Sequence, residues 1–253
     1  MVNKMCLVVD IGNTNVTFGV FKNDTLTEVF RCESNKNNNQ DFYEQFLSEN
    51  IKNYNVNSCI IASVADEITH IIKQTCDKVF QLDSFILNPD FDFKMDINVQ
   101  NPNSVGIDRL INAFNAKRKF PLPLIVVDIG SATTFDIVST KGDFIGGIIM
   151  PGLNMQIQAL YSKTSKLPSI NLEECKKAIG NSTENAILSG IVLGSASAIS
   201  GLLKQCEAEL GEKPTIIATG GLCKFMAEHL PNKFDYVEPN LTLEGLYQVL
   251  KNK

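Results

Sequence analysis

The chain has 253 residues, 44% apolar and 20% charged, with a net charge of −5. It can bury roughly three-quarters of its unfolded surface, and its acidic balance without a Lys/Arg run argues against a nucleic-acid-binding face. No apolar run stands out as a membrane span and residues 1–10 lack the features of a signal peptide, so the expectation is a cytoplasmic protein without membrane contact.

Leu7-Val8-Val9 reads as a buried strand ending at Asp10, followed by the polar turn Ile11-Gly12-Asn13-Thr14-Asn15. Strands are predicted over residues 14–21 and 25–31, separated by a turn at Lys22-Asn23-Asp24. The Asn-rich segment 34–40 reads as a loop, 41–49 as a helix and 58–64 as a short apolar strand. Ile68, Ile71 and Ile72 mark a helix over 66–75, residues 78–87 read as a strand pair, and 88–96 form a loop containing Pro89. A helix then opens with Ser104 as its predicted N-cap and buries Val105, Leu110, Ile111, Ala113 and Phe114. Lys117-Arg118-Lys119 suit the negative end of its dipole, and Pro121 stops it.

Ile125-Val126-Val127-Asp128-Ile129-Gly130-Ser131-Ala132-Thr133 repeats the opening pattern, its aspartate 118 positions after Asp10. Strands over 133–139 and 144–150 flank a turn at Lys141-Gly142-Asp143, and Pro151-Gly152 begins a helix to about Tyr161. Asn181 with Glu184 reads as a capping box for one long helix to about Leu210. That helix is rich in Gly, Ala and Ser, which implies close approach of another backbone, either within the chain or across a two-fold interface. Residues 215–218 form a buried strand, Thr219-Gly220-Gly221 a tight turn, and 222–229 a helix.

The repeat of strand, acidic turn and β-meander at half-chain spacing predicts two related α/β domains, 1–117 and 118–253, with a cleft between them. In each, a carboxylate can order Mg²⁺ or its waters while turn N–H and hydroxyl groups donate to phosphate oxygens. The seven cysteines form no C-x-x-C pair, and the two histidines, His70 and His229, have no ligand-spaced partners. Acid–base chemistry therefore falls to carboxylates, which suits a kinase.

These loops resemble those of the sugar kinase/heat-shock protein 70/actin superfamily, and in detail the chain resembles the type III pantothenate kinases. Asp10 to Asn15 match that family's first phosphate loop and Ala62-Ser63-Val64 its short strand signature. Gly106-Ile107-Asp108-Arg109 match its substrate motif and Asp128 to Asp136 its second phosphate loop. Gly146-Gly147, Pro151-Gly152, residues 180–183, Thr219-Gly220-Gly221 and Leu243-Glu244-Gly245-Leu246 follow in the family's order.

The resemblance implies duplicated ribonuclease H-like, actin-like ATPase domains and ATP-dependent phosphorylation of pantothenate, the first step of coenzyme A biosynthesis. It implies Asp108 as general base, with Gly106, Ile107, Asp108, Arg109 and Thr183 on pantothenate. Asp10, Ile11, Gly12, Asn13, Thr14, Asn15, Val16, Thr17 and Ser131 would hold ATP, Asp10 also Mg²⁺ through water, and Asp128 a monovalent cation, K⁺ or NH₄⁺. A homodimer with Thr183 near the partner's site is also implied. A regulatory accessory factor of the same fold, or another small-molecule kinase or phosphatase of the superfamily, are the alternatives. Two positions depart from the family pattern. Val99 stands where many members carry Tyr, removing an aromatic wall or hydroxyl contact, and Ser131 replaces a usual Thr while keeping the hydroxyl.

Overall fold

The computed structural model describes residues 5–34, 39–88 and 90–253. Residues 35–38 of the expected Asn-rich loop, Pro89 and residues 1–4 lie outside the described residues. The chain divides into two compact units. The first comprises Met1–Lys94, Asn101–Asn115 and Thr242–Lys253, the second Met95–Gln100 and Ala116–Leu241.

In the first unit β1 (Met5–Ile11), β2 (Asn15–Lys22) and β3 (Thr25–Glu33) form an antiparallel meander. Helix α1 (Gln40–Asn50) leads to β4 (Val56–Ser63), helix α2 (Asp66–Phe80) to the two-residue β5 (Phe85–Ile86). The sheet order is β3-β2-β1-β4-β5, with β4 parallel to β1. Leu7, Val9 and Ile11 pack with Tyr43 and Leu47 of α1 and Ile68 and Ile72 of α2 in one core. Because side chains alternate along a strand, Val8 and Asp10 face the opposite side of the sheet. After a 3-10 turn at Pro102–Ser104, helix α3 (Ile107–Lys119) follows, its last turn belonging to the second unit.

The second unit repeats the plan. β6 (Leu124–Ile129), β7 (Ala132–Val138) and β8 (Phe144–Pro151) form a meander, and helix α4 (Leu153–Lys163) follows. Helix α5 (Thr183–Leu188), a π-helical turn (Ser189–Leu193) and helix α6 (Gly194–Leu210) precede β9 (Thr215–Thr219), helix α7 (Cys223–His229) and β10 (Tyr236–Val237). Its sheet order, β10-β9-β6-β7-β8, is that of the first sheet read backwards, again with one parallel pair beside the meander. The correspondence extends to single bonds. The Ile11 carbonyl accepts the Val64 N–H at 3.0 Å, and the Ile129 carbonyl accepts the Leu222 N–H at 2.9 Å. The final helix, α8 (Leu241–Lys251), joins the first unit from Thr242 onward. There Tyr247 stacks on Phe21 and hydrogen-bonds Asp24 in the β2–β3 turn, so a boundary at 117/118 leaves out this returning helix.

Several expectations are corrected. Residues 78–80 continue α2 instead of starting a strand pair, because Val79 and Phe80 keep the helical rhythm and pack on the core, with Gln81 closing the helix at φ 53°. Ser104 is no N-cap. Its hydroxyl donates to the Asn101 carbonyl at 2.7 Å inside the 3-10 turn, and α3 begins at Ile107. The cap of α5 is Ser182 instead of Asn181, its side chain accepting the Asn185 N–H at 3.2 Å. The long helix to Leu210 is interrupted by the π turn.

One segment has the length and composition of a membrane span. Thr183–Leu210 is long and apolar enough to cross one by length and composition, its most apolar 18-residue window having a mean hydropathy of 1.9. Their apolarity is used in the second unit's core, where Ile187, Ile191, Ala196, Ile199 and Leu203 are buried. The opposite face carries Ala186, Gly190, Gly194 and Ser197, all exposed. A methyl group placed on Gly190, Gly194 or Gly201 would meet nothing within 4 Å, so intrachain packing does not account for these glycines.

Candidate active site

The first acidic loop is a strand end turned tightly on itself. The Gly12 N–H donates to the Asn15 carbonyl at 3.0 Å, and the Thr14 carbonyl accepts the Ser34 N–H at 2.9 Å. This leaves Asn13, Thr14 and Asn15 exposed and Asp10, Gly12 and Thr17 half-buried, a cluster of carboxylate, amide and hydroxyl groups beside backbone donors. Ile11 and Val16 are fully buried in the core, so only their main chain is available to a ligand.

On the same unit, α3 carries Asp108 and Arg109 in its first turn. Asp108 Oδ1 accepts the Arg109 N–H at 2.9 Å. Burial pushes the Asp108 carboxyl above its ordinary value, against the opposing pull of that N–H and the Arg109 charge. A methyl group on Gly106 would lie 2.5 Å from Asp108 Oδ1, so glycine here leaves the carboxylate its place. Ile107 is buried.

On the second unit, Asp128, Ser131 and the Gly220 turn come together. Gly130 N–H donates to the Ala132 carbonyl at 2.9 Å, a tighter version of the first loop. Asp128 pairs in register with Thr134 on β7 and Thr219 on β9, so the three side chains share a sheet face. The fully buried Asp136 lies on that face too. Gly220 has φ +89°, and a methyl group there would sit 2.3 Å from Asp128 Oδ1. Gly152 abuts the loop from another side, its hypothetical methyl 2.4 Å from the carbonyls of Gly130 and Ser131.

Thr183 is placed apart from this loop. It lines a groove of about 720 Å³ between α4 and α5, with Gln156, Leu160, Lys163, Ala186 and Gly190. Val99 is half-buried on the segment that runs beside β8, where the Asn98 N–H donates to the Phe144 carbonyl at 2.8 Å. Sequence reasoning missed Gly152 and Thr219 as parts of the second loop. The Thr-Gly-Gly turn pointed toward a ligand, but only the fold brings it to Asp128.

Among the described residues, no cluster of three His, Cys, Asp or Glu side chains forms a metal cage. The donor sets are nonetheless suited to hard cations met by oxygen. The buried Thr219 hydroxyl has no hydrogen-bond partner, beside a carboxylate that Gly220 cradles. The Asp128 carboxylate beside neutral Thr oxygens would suit a monovalent ion, with Asp136 the next acidic side chain on that face. A single half-buried aspartate on the strand that leads into an exposed polar turn, Asp10, fits Mg²⁺, which keeps most of its waters and takes further oxygens from phosphates.

Duplicated β-meander units with acidic Gly-turn loops define an actin-like, sugar-kinase type two-domain α/β protein. In line with this, an activator of 2-hydroxyisocaproyl-CoA dehydratase from Clostridium difficile with bound ADPNP superposes with a TM-score of 0.55 at 11% identity, over 98% of this chain and 95% of that one. A conserved protein from Campylobacter jejuni, described as a Baf family transcriptional activator, superposes with a TM-score of 0.61 at 21% identity, over 97% and 98%. The sequence profile of type III pantothenate kinases matches residues 6–205. A type III pantothenate kinase of Bacillus cytotoxicus is 34% identical over 250 residues, covering 97% of this chain and 95% of that protein. The chain belongs to the type III pantothenate kinase family and is a pantothenate kinase, using ATP to phosphorylate pantothenate in coenzyme A biosynthesis.

Proposed function

We propose that this chain performs the family's reaction with Asp108 as general base, taking the proton of the pantothenate primary hydroxyl as that oxygen attacks the γ-phosphorus of ATP. The observation that carries this assignment is a buried carboxylate at the start of α3, held by the Arg109 N–H, raised by burial and close enough to the Arg109 charge to feel it. A base needs some affinity for the proton it accepts, and burial supplies it. Arg109 offers a cation to the substrate carboxylate or the transferring phosphoryl group. Asp10, Asn13, Thr14, Asn15 and Thr17, with the backbone of Ile11, Gly12 and Val16, hold the nucleotide phosphates, and Ser131 touches ATP. Asp10 would hold Mg²⁺ through water and Asp128 K⁺ or NH₄⁺. These ions neutralise phosphate charge when bound. Since phosphoryl transfer depends chiefly on positioning and charge neutralisation, this set of groups suffices.

Gly106 and Ile107 contribute backbone to the pantothenate site, and Thr183 a hydroxyl. The chain is proposed to work as a cytoplasmic homodimer. Supporting this, the open stripe Ala186, Gly190, Gly194, Ser197 would let a second copy's backbone approach closely. Gly194→Leu is then expected to give monomers of low activity by sedimentation, and a dimer surviving that change would place the interface elsewhere.

A coupled assay with ATP and pantothenate, with and without K⁺, tests the whole reading. Turnover should require pantothenate and fall sharply when K⁺ is replaced by Na⁺. In the same assay Thr183→Ala should raise the pantothenate KM while leaving the ATP KM within about twofold. Nucleotide binding with no pantothenate turnover would reject the reading.

A further inference from the structure

The face of α3 that follows Asp108 is polar where a helix of this burial is normally apolar. Asn112 and Asn115, four and seven residues on, are 1% and 2% exposed. Positions i, i+4 and i+7 share one helix face, so Asp108, Asn112 and Asn115 form a stripe. What meets that stripe is α8. The Thr242 hydroxyl donates to Asn112 Oδ1 at 2.7 Å. Three residues on, the two helices cross at Gly245, where a methyl group would lie 2.6 Å from Ile111 Cγ2 and 3.1 Å from both the Ile111 carbonyl and Asn115 Cβ. Leu243 of the same helix reaches Gly19 and Val8 on the sheet face that Asp10 shares, since a methyl on Gly19 would lie 2.9 Å from Val8 Cγ2 and 3.2 Å from Leu243 Cδ1.

We infer that α8 is the seat of the base: the Thr242–Asn112 hydrogen bond and the Gly245 crossing are positioning contacts that fix the rotation and height of the α3 first turn, and so the place of Asp108. The inference rests on Asp108 being the base. A hydrogen bond to a buried amide oxygen is costly to lose, because water does not replace the donor there. Asn112 thus locks α3 to α8 at one register, whereas a purely apolar contact could slide. The Gly245 crossing removes the remaining play, because α8 contributes no side chain there and its backbone lies directly against Ile111 and Asn115. Thr242 and Gly245 are positioning residues, assigned no contact with either substrate. They act through Asp108, one turn away.

The test is Thr242→Val, which keeps the side-chain shape and deletes the donor, with Thr242→Ser as its rescue. Misplacing a reacting group by about 1 Å can cost on the order of 10²-fold. A bond one turn away should therefore cost about tenfold in kcat, with the ATP KM within about twofold, and Thr242→Ser should restore kcat. Independently of turnover, the Asp108 carboxyl, followed by carbon-13 NMR and assigned with Asp108→Asn, should titrate at a different pH in Thr242→Val. A purely structural role would lower the melting temperature and leave both kcat and that titration unmoved. That result, or failure of Thr242→Ser to rescue, would overturn the inference. A wild-type protein without pantothenate turnover would reject the base assignment, while the titration would still report whether α8 sets the Asp108 environment.

Discussion

Asp108→Asn is expected to bind ATP normally and lose about 10²–10⁴ in kcat, the span usual for removing a general base. The amide keeps the shape of the carboxylate, so the fold should persist. The pH dependence of the wild type follows from the direction of the Asp108 shift. The carboxyl is raised by burial in the free protein, so the base form is populated only above that raised value, and kcat/KM for pantothenate should fall as pH drops through it. The acidic limb of the kcat/KM profile should thus lie above the ordinary aspartate value of about 3.9. Stability responds with the opposite sign. A carboxyl raised in the folded state binds its proton more tightly there than in the unfolded chain. Its relative contribution to stability is fullest below the unfolded pKa and is lost as pH rises through the folded one. Asp108→Asn removes that penalty. It should melt slightly higher than wild type at neutral pH, with the difference shrinking as the pH falls to the acid side of both values. Melting curves at about pH 3 and pH 7.5 would check the sign, and a variant with kcat within a few-fold of wild type would show that the proton goes elsewhere.

The fold was legible where local pattern and global repeat agreed. Asp10 and Asp128 both close an apolar β-branched run with a glycine turn, and the two sheets built on them share one strand order. Lys78 to Leu87 was misread because Val79-Phe80 is a short apolar run, which periodicity cannot assign to helix or strand without knowing what it packs on. The start of α3 was misread because Ser104 has the chemistry of a cap yet satisfies the Asn101 carbonyl in a 3-10 turn. The C-terminal helix lies more than 120 positions from Asn112, and no local signal could place it there.

At the candidate site, the loops and the substrate motif were visible as residues, while their support was not. Ile11 and Val16 look like members of a phosphate loop in sequence, and alternation along the strands sends both into the core. Asn112 and Asn115 stand out by no motif in the sequence, and only their burial, with Thr242 of α8 bonded to Asn112, gives them meaning. The small-residue helix is intermediate. Its composition signalled a close approach, and the structure narrows this by leaving Gly190, Gly194 and Gly201 open on the chain itself.

Gly220→Ala should be strongly damaging to the second unit, because it combines two separable costs. The backbone at φ +89° disfavours any residue with a Cβ, by roughly 1–2 kcal/mol. The methyl also falls 2.3 Å from Asp128 Oδ1 and 2.7 Å from the Ile129 carbonyl, which cannot both retreat, since the Ile129 carbonyl already accepts the Leu222 N–H. Gly211→Ala isolates the first cost. It sits at φ +74° after α6 with nothing within 4 Å of the added methyl. A chain of this size loses about 2–4 °C of melting temperature per kcal/mol, so Gly211→Ala should cost a few degrees and leave turnover intact. Gly220→Ala should lose more stability than that. It should also need at least tenfold more K⁺ for half-maximal rate, because the displaced carboxylate is the one proposed to hold the ion. Equal melting and equal K⁺ response in the two variants would mean that Gly220 serves the turn alone and that Asp128 takes no part in cation binding.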